Sequence, residues 1–231
     1  MMNRRGIGAG VALIFCALAS PAHATSILIG SPGTSNNAFP FEGPILGFPG
    51  TRYQQVYAAS DFSGAFSITG VTFIDTNNAF DTFTDATYTV SLSTTSKPVN
   101  GLDTVTFTNN IGLDNTLLFT GHLTGAIPTT FTLSGGGPFL YNPLAGNLLL
   151  DIQLTSIGSL GSGGLDARNG DAGGLFSRAQ NFGAGFDDTG LVTQFEGSPV
   201  GATPVPEPAS LTLLGLGSLL LARRTRRSHP R

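Results

Sequence analysis

Few side chains in this chain could do chemistry. Its 231 residues include one cysteine, Cys16, and three histidines. His122 is the one histidine of residues 25–202, the segment called the body below. A Ser-His-Asp site would have to use His122, yet no Gly-x-Ser-x-Gly elbow accompanies it, and one histidine is too few for a histidine-based zinc site. We therefore expect His122 to be a surface residue in a turn that leaves a strand, and the body to have no enzymatic activity.

Carboxylates are the other candidate reagents. Several lie in residues 158–190, where ten of the 33 residues are glycine. Oxygen ligands suit Ca²⁺, but no EF-hand or nonapeptide repeat is present, and such Asp-Gly stretches are usually turns. The sequence thus predicts no cofactor and leaves calcium as an alternative at Asp166, Asp171, Asp187 and Asp188.

A glycosidase would need two carboxylates about 5–10 Å apart in a cleft, which sequence spacing does not reveal. The chain has no tryptophan and four tyrosines, so aromatic surface for stacking sugars is sparse.

The segments that must position these groups read as short strands. Apolar residues alternate with polar ones, and Gly, Pro and Asn interrupt the runs, which predicts an all-β, antiparallel, jelly-roll-like β-sandwich. We expect eight to ten strands, including residues 26–30, 52–57, 66–73, 86–92, 104–108, 117–120, 129–133, 147–155 and 191–196. The apolar phase shifts by one residue at Gly70, which predicts a β-bulge there.

The alternation also predicts the core. The strand at residues 147–155 should point Leu148, Leu150, Ile152 and Leu154 inward, and Leu149, Asp151 and Gln153 outward. The strand at residues 104–108 should bury Val105 and Phe107. The expected core therefore includes Phe73, Val90, Leu92, Phe107, Leu148, Leu150 and Ile152.

Charge is distributed unevenly along the chain. Residues 25–203 contain four cations and 13 carboxylates, which gives 4 − 13 = −9, whereas the whole chain carries −3. Nucleic-acid binding requires cations that neutralise phosphates, so the acidic body argues against that function.

The N-terminus has the features of a secretory leader. Arg4 and Arg5 precede an apolar run at residues 7–18, and Ala22-His-Ala24 is a small-x-small cleavage site. We expect a signal peptide at residues 1–24, with the Sec translocon and signal peptidase as partners. Cys16 then leaves with the leader, so the mature protein has no cysteine.

The C-terminal segment, residues 203–231, combines three unlike features. Prolines at 204, 206 and 208 keep Glu207 in a stiff extended stretch. Residues 209–222 carry no charge, but as a helix they would span about 21 Å against a hydrocarbon core of about 30 Å. Basic residues at 223–227 favour a cytoplasmic C-terminus. The pattern predicts a short transmembrane helix, and the alternatives are an ordinary tail anchor or an apolar tail packed on the body.

This order of features resembles the PEP-CTERM sorting signal of Gram-negative bacteria, which a membrane protease-transpeptidase called exosortase reads. The resemblance covers about 29 residues; the same motif is also labelled an ice-binding-protein C-terminal domain, which implies no ice binding by the body. It implies a transient inner-membrane anchor, followed by transfer to the cell envelope or extracellular matrix. The matching recognition residues are Val205, Pro206, Glu207, Pro208, Arg223, Arg224, Arg226 and Arg227.

Two functions remain open for the body. One is a non-enzymatic structural or adhesive protein of the envelope or the exopolysaccharide matrix. The other is a carbohydrate-binding or carbohydrate-degrading module, with envelope polysaccharide as its partner.

Overall fold

Antiparallel pairing organises the part of the chain that the structure describes. The structure is a computed structural model, and it describes residues 24–33, 35–41, 51–76, 80–168, 174–181 and 186–201. The predicted signal peptide, apart from Ala24, and the C-terminal segment lie outside these residues. The described residues all fall within one compact unit, His23–Gly201. Within them, no helical segment has the length and hydropathy that a membrane span requires.

The described residues form an all-β fold with two short 3₁₀ turns, Ala59–Asp61 and Phe107–Asn110. The strands are β1 (Thr25–Ile29), β2 (Ser35–Asn37), β3 (Thr51–Tyr57), β4 (Phe66–Ile74), β5 (Thr82–Thr95), β6 (Thr116–Ala126), β7 (Thr130–Tyr141), β8 (Asn147–Thr155), β9 (Leu165–Arg168), β10 (Phe176–Gln180), β11 (Phe186–Asp187), β12 (Gly190–Leu191) and β13 (Thr193–Pro199).

These strands form three antiparallel sheets. One sheet has four strands in the order β1-β13-β4-β7, and another has six in the order β11-β10-β3-β8-β5-β6. A small third sheet has the order β12-β9-β2. The predicted bulge at Gly70 is confirmed, because the β4–β7 register shifts between Ile68 and Gly70. A Cβ atom at Gly70 would come within 3.1 Å of Thr132 Cγ2, so the bulge leaves little room for a side chain.

The two larger sheets share one hydrophobic core. Tyr57 of the six-stranded sheet meets Phe195 of the four-stranded sheet with ring centroids 4.9 Å apart. Phe41 contacts Phe73 of the four-stranded sheet and Tyr88 of the six-stranded sheet, with ring centroids 4.8 and 5.4 Å apart. Six of the seven predicted core residues belong to this cluster, which confirms their prediction: Phe73, Val90, Leu92, Leu148, Leu150 and Ile152.

The outer face of the six-stranded sheet is also covered, and here one sequence prediction was wrong. Leu149 and Asp151 were expected to face solvent, yet their exposures are 0% and 2%. Residues 98–112, which we call the strap, pack on this face. Leu102 and Phe107 of the strap form a second apolar cluster with Leu149 and other sheet residues.

The strap itself replaces the strand expected at residues 104–108. Phe107 is buried in the second cluster, but it starts the 3₁₀ turn Phe107–Asn110 rather than lying in a strand. Val105, which was expected to be buried, is 88% exposed. The carboxylate of Asp103 explains the difference, because it accepts hydrogen bonds from the N–H groups of Val105 and Thr106. These bonds turn the backbone locally instead of leaving it extended for a sheet.

Two further expectations change. His122 is exposed as expected, but it lies within β6 and not in a turn, because β6 runs on to Ala126. The glycine-rich residues 158–190, whose Asp-Gly stretches were expected to be turns, contain β9, β10, β11 and the first residue of β12, so part of this stretch belongs to the sheets.

Candidate functional site

Asp166 is one of the four calcium candidates, and protein groups already surround it. The side chain is fully buried at the second position of β9. Its Oδ2 accepts a hydrogen bond from Gly33 N at 3.1 Å, and its Oδ1 accepts from Thr76 N at 3.2 Å and Thr76 Oγ1 at 2.7 Å. The carboxylate thus joins two loops to β9.

The other calcium candidates differ in how far the structure describes them. Asp171 lies outside the described residues, Asp187 pairs through its backbone with Arg178, and Asp188 is half-buried. In the ranges described above, no three His, Cys, Asp or Glu side chains are grouped so that they could hold a metal ion.

His122 has a carboxylate partner. Its Nε2 lies 2.7 Å from Asp85 Oδ1, and the two side chains are 56% and 35% exposed. A base and an orienting carboxylate are two parts of a catalytic triad. His122 nevertheless lies on β6, the edge strand of the six-stranded sheet, with Asp85 on the adjacent strand β5, and neither cleft described next is lined by His122.

A polar cleft opens beside the strap, and no sequence motif indicated it. The volume of this cleft is about 560 Å³. Its lining consists of Arg52, of Gln180 and Asn181 at the end of β10, and of the strap residues Thr104, Val105, Thr106, Phe107 and Thr108. Arg52 binds the buried Asp151 through two parallel bonds, Nε to Oδ1 at 2.8 Å and Nη2 to Oδ2 at 2.7 Å. Hydroxyl and amide groups around a fixed guanidinium suit a hydrated polar ligand.

A second cleft, of about 300 Å³, lies beside β1. It is lined by Leu28, Ile29, Gly30, Ser31, Asp61 and Leu175. Burial raises the pKa of Asp61. Burial, and then the charge of Asp61, raises the pKa of the Tyr141 hydroxyl well above its ordinary value. One carboxyl beside mainly apolar groups does not supply the paired acid and base that hydrolysis needs.

A buried network of amide side chains fixes the strap that forms one wall of the polar cleft. Asn110 Nδ2 donates to Gln54 Oε1 at 2.7 Å, and Gln54 Nε2 donates to the Phe107 carbonyl and to Asp151 Oδ1, both at 3.2 Å. At the start of the strap, the N–H of Asn100 donates to Ser177 Oγ at 2.7 Å. The strap is therefore held to three neighbouring strands, β10, β3 and β8.

Both ends of the described chain lie close together. Thr25, the first residue of β1, pairs with Gly197 near the end of β13. The N–H of Val200 donates to the Ala65 carbonyl at 2.9 Å, and Gly201 is the last described residue. The predicted leader and the C-terminal segment are therefore attached to the same end of the four-stranded sheet.

The comparisons with known proteins concern the C-terminal segment. A family model described as the PEP-CTERM protein-sorting motif matches residues 204–227. No curated protein and no solved structure is significantly similar to the chain. The match includes the proline-bracketed Glu207, the uncharged stretch and the arginine cluster. This chain thus carries a PEP-CTERM protein-sorting motif at its C-terminus, the signal that marks an exported protein for processing by exosortase at the membrane.

Proposed function

We propose that this protein is a non-enzymatic component of the cell envelope or the exopolysaccharide matrix of a Gram-negative bacterium. The sorting motif at residues 204–227 is the observation that carries the proposal. On this proposal, the Sec translocon exports the chain, signal peptidase removes residues 1–24, and exosortase then acts on the C-terminal segment. The body is delivered as a jelly-roll-like β-sandwich.

The C-terminal segment acts as a temporary anchor. Its 14 uncharged residues, 209–222, are short for a lasting transmembrane helix, although the arginines can extend the span by snorkelling. The positive-inside preference places the arginine cluster in the cytoplasm and the body outside the inner membrane. Glu207 is then held in an extended, proline-bracketed segment at the outer surface, where an embedded protease can reach it. Pro206, Glu207 and Pro208 are recognition residues and not catalytic ones.

The composition of the body supports a structural role. The mature chain contains no cysteine, and its body has one histidine, His122, on an exposed edge strand. Asp166, the calcium candidate that the structure describes most fully, is occupied by hydrogen bonds that join loops. A body whose polar side chains mainly fasten its own segments is suited to a durable extracellular component.

The C-terminal peptide of the surface-exposed protein, identified by mass spectrometry in its native host, tests the proposed sorting. We expect this peptide to end near residues 205–208. Replacing Glu207 by Ala should leave the uncleaved precursor in the inner membrane, whereas the control Asp187→Ala should be sorted normally. Surface-exposed chains that still contain Leu219 would mean a permanent anchor and would refute sorting by cleavage.

The polar cleft favours one alternative, a carbohydrate-binding module. Its hydroxyl and amide lining around Arg52 matches the chemistry of sugar hydroxyls. A glycan array that includes the polysaccharide of the host distinguishes the two functions. Binding that Thr106→Ala removes, with the fold intact, would favour the carbohydrate module; release of reducing sugar that depends on His122 would overturn the non-enzymatic assignment.

A further inference from the structure

The body has one end from which both of its chain termini leave, and we call it the exit end. In the four-stranded sheet, this end contains Thr25, which pairs with Gly197, and Pro199, which pairs with Phe66. The described chain stops two residues after Pro199, at Gly201. The C-terminal segment is therefore attached to the body at the exit end.

Two loops that lead into strands of the six-stranded sheet, β6 and β8, lie at the same end. Phe66 pairs with Tyr141, and residues 142–146 connect Tyr141 to Asn147, which pairs with Thr95. The loop at residues 111–115 also reaches this end, because the N–H of Thr94 donates to Asp114 Oδ1 at 2.8 Å. The strand register thus places both loops beside the C-terminal exit.

Both loops carry an exposed leucine. Leu113 is fully exposed and Leu144 is 94% exposed. Among the described residues, eight large apolar side chains are exposed, and five of them lie at or near the exit end: Leu113, Leu117, Leu140, Leu144 and Val200. Isolated exposed apolar residues are ordinary, but their concentration at one end of a protein indicates an interaction surface.

The exit end carries charges of both signs, since Asp114 lies in the loop at residues 111–115 and Asp61 lies in the turn that follows β3. Lys97, the one lysine of the chain, lies at the exit end, where its carbonyl accepts a hydrogen bond from Asn147 Nδ2. Four carboxylates lie toward the other end, near the connections β4–β5 and β6–β7: Asp75, Asp81, Asp85 and Asp166. With the exit end toward an anionic lipid surface, these four carboxylates are far from the headgroups. Repulsion is then limited to Asp61 and Asp114, which the charge of Lys97 partly offsets.

The length of chain after Gly201 indicates what covers this surface. Seven residues, 202–208, separate Gly201 from the uncharged stretch that begins at Ala209. Fully extended at about 3.6 Å per residue, they reach about 25 Å. Each polar headgroup layer of a bilayer is about 5–8 Å thick. A body tethered this closely has a high effective concentration at the lipid surface, so even weak apolar contacts are populated.

We propose that the exit end is a membrane-docking surface, and that Leu113 and Leu144 insert into the outer surface of the inner membrane while the tail is attached. This inference rests on the proposed function, because it needs the C-terminal segment to be membrane-inserted. Docking keeps the exit end, to which the C-terminal segment is attached, at the lipid surface where exosortase acts. Two leucines bind lipid weakly without a tether, so cleavage of the tail also releases the body.

The chain contains no tryptophan, so single-tryptophan variants of the full chain report the docking directly. We would reconstitute Leu113→Trp and Leu144→Trp in vesicles of phosphatidylethanolamine and phosphatidylglycerol whose acyl chains carry bromine. Both fluorophores should be quenched and their emission should shift to shorter wavelength. The matched control is Phe80→Trp, since Phe80 is 93% exposed in the connection between β4 and β5 at the opposite end. Quenching at 113 and 144 no greater than at 80 would overturn the proposal.

A third probe separates this inference from the proposed function. Leu214→Trp lies in the uncharged stretch and should be quenched strongly by bromine placed deep in the bilayer. If the probe at residue 214 is quenched while the probes at 113 and 144 are not, the docking proposal is wrong and the membrane anchor is supported. If the probe at residue 214 is not quenched, both the membrane anchor and the docking are refuted.

Processing in the native host provides a functional measurement. The double variant Leu113→Asp, Leu144→Asp should be cleaved several-fold more slowly than the wild-type precursor, whereas Phe80→Asp should be cleaved at the wild-type rate. Slower cleavage without lipid quenching at residues 113 and 144 would mean that the surface contacts exosortase or another protein, and would refute the lipid assignment.

Discussion

The strongest test of the fold is the side chain that fastens the strap, Asn110. It is 1% exposed and makes three hydrogen bonds: Nδ2 donates to Gln54 Oε1 at 2.7 Å and to the Asp103 carbonyl at 2.9 Å, and Oδ1 accepts from Asp103 N at 2.7 Å. Asn110→Ala removes all three and leaves the buried Gln54 oxygen without its donor. An unsatisfied buried group costs about 1–3 kcal/mol, and water can still reach Asp103. We therefore expect the free energy of unfolding to fall by about 2–3 kcal/mol.

Urea unfolding of the mature body measures this loss. With an m-value of about 2 kcal/mol/M, the midpoint should fall by about 1–1.5 M. The neighbouring Asn109 is a matched control, because it is exposed and its Nδ2 donates a hydrogen bond to Asp103 Oδ2 at 2.8 Å. Asn109→Ala should lower the free energy of unfolding by less than about 1 kcal/mol. Equal losses in the two variants would show that the strap is not held through Gln54 and would refute the reasoning.

Three further outcomes follow from the described contacts. Leu150→Asp should abolish folding, since an unpaired carboxylate in the core costs several kcal/mol, whereas the 64%-exposed Leu140→Asp should leave the circular dichroism spectrum unchanged. Hydrogen bonds from Thr106 N, Asn109 and Val105 N lower the pKa of Asp103 to about 2. The stabilising contribution of the Asp103 carboxylate is thus complete above the unfolded pKa of about 4 and is lost as the pH falls through 2. The urea unfolding midpoints of the wild type and of Asp103→Ala should therefore converge as the pH is lowered from about 4 to about 2. Asp166→Ala should lower the melting temperature equally with calcium and with EDTA; a calcium-dependent rise in the wild type would instead support a cation site.

The sequence predicted those features that depend on strict alternation. The strand at Asn147–Thr155 holds its apolar phase over nine residues, so its inward side chains were predicted correctly. Alternation cannot show, however, whether a second layer covers the outward side chains. Leu149 and Asp151 are buried because the strap crosses them, and the strap has no regular period of its own. The polar cleft was missed for the same reason, since it exists only where the strap meets the sheet.

The very short strands were also not predictable from the sequence. Strands β11 and β12 contain two residues each, which is a single alternation and too short to form a recognisable pattern. They pair because longer segments bring them together, and the glycine-rich sequence around them gives only a turn signal. The sorting motif, by contrast, was predictable in full, because it is a linear pattern of unlike residues and needs no tertiary contact to be recognised.

The position of β13 also determines when the body can finish folding. This last strand lies between the first strand, β1, and β4, so β1 has no neighbour in its sheet until residues 193–197 are available. A chain that crosses the membrane from its N-terminus would deliver β13 only after every other strand. The core residue Phe195, which packs against Tyr57 and Phe62, arrives at the same late moment. In the proposed Sec export, translocation would therefore proceed on a chain that remains incompletely folded, and the four-stranded sheet would close as the sorting segment enters the translocon. Protection of the exported chain by periplasmic chaperones would be needed during that interval and not after it.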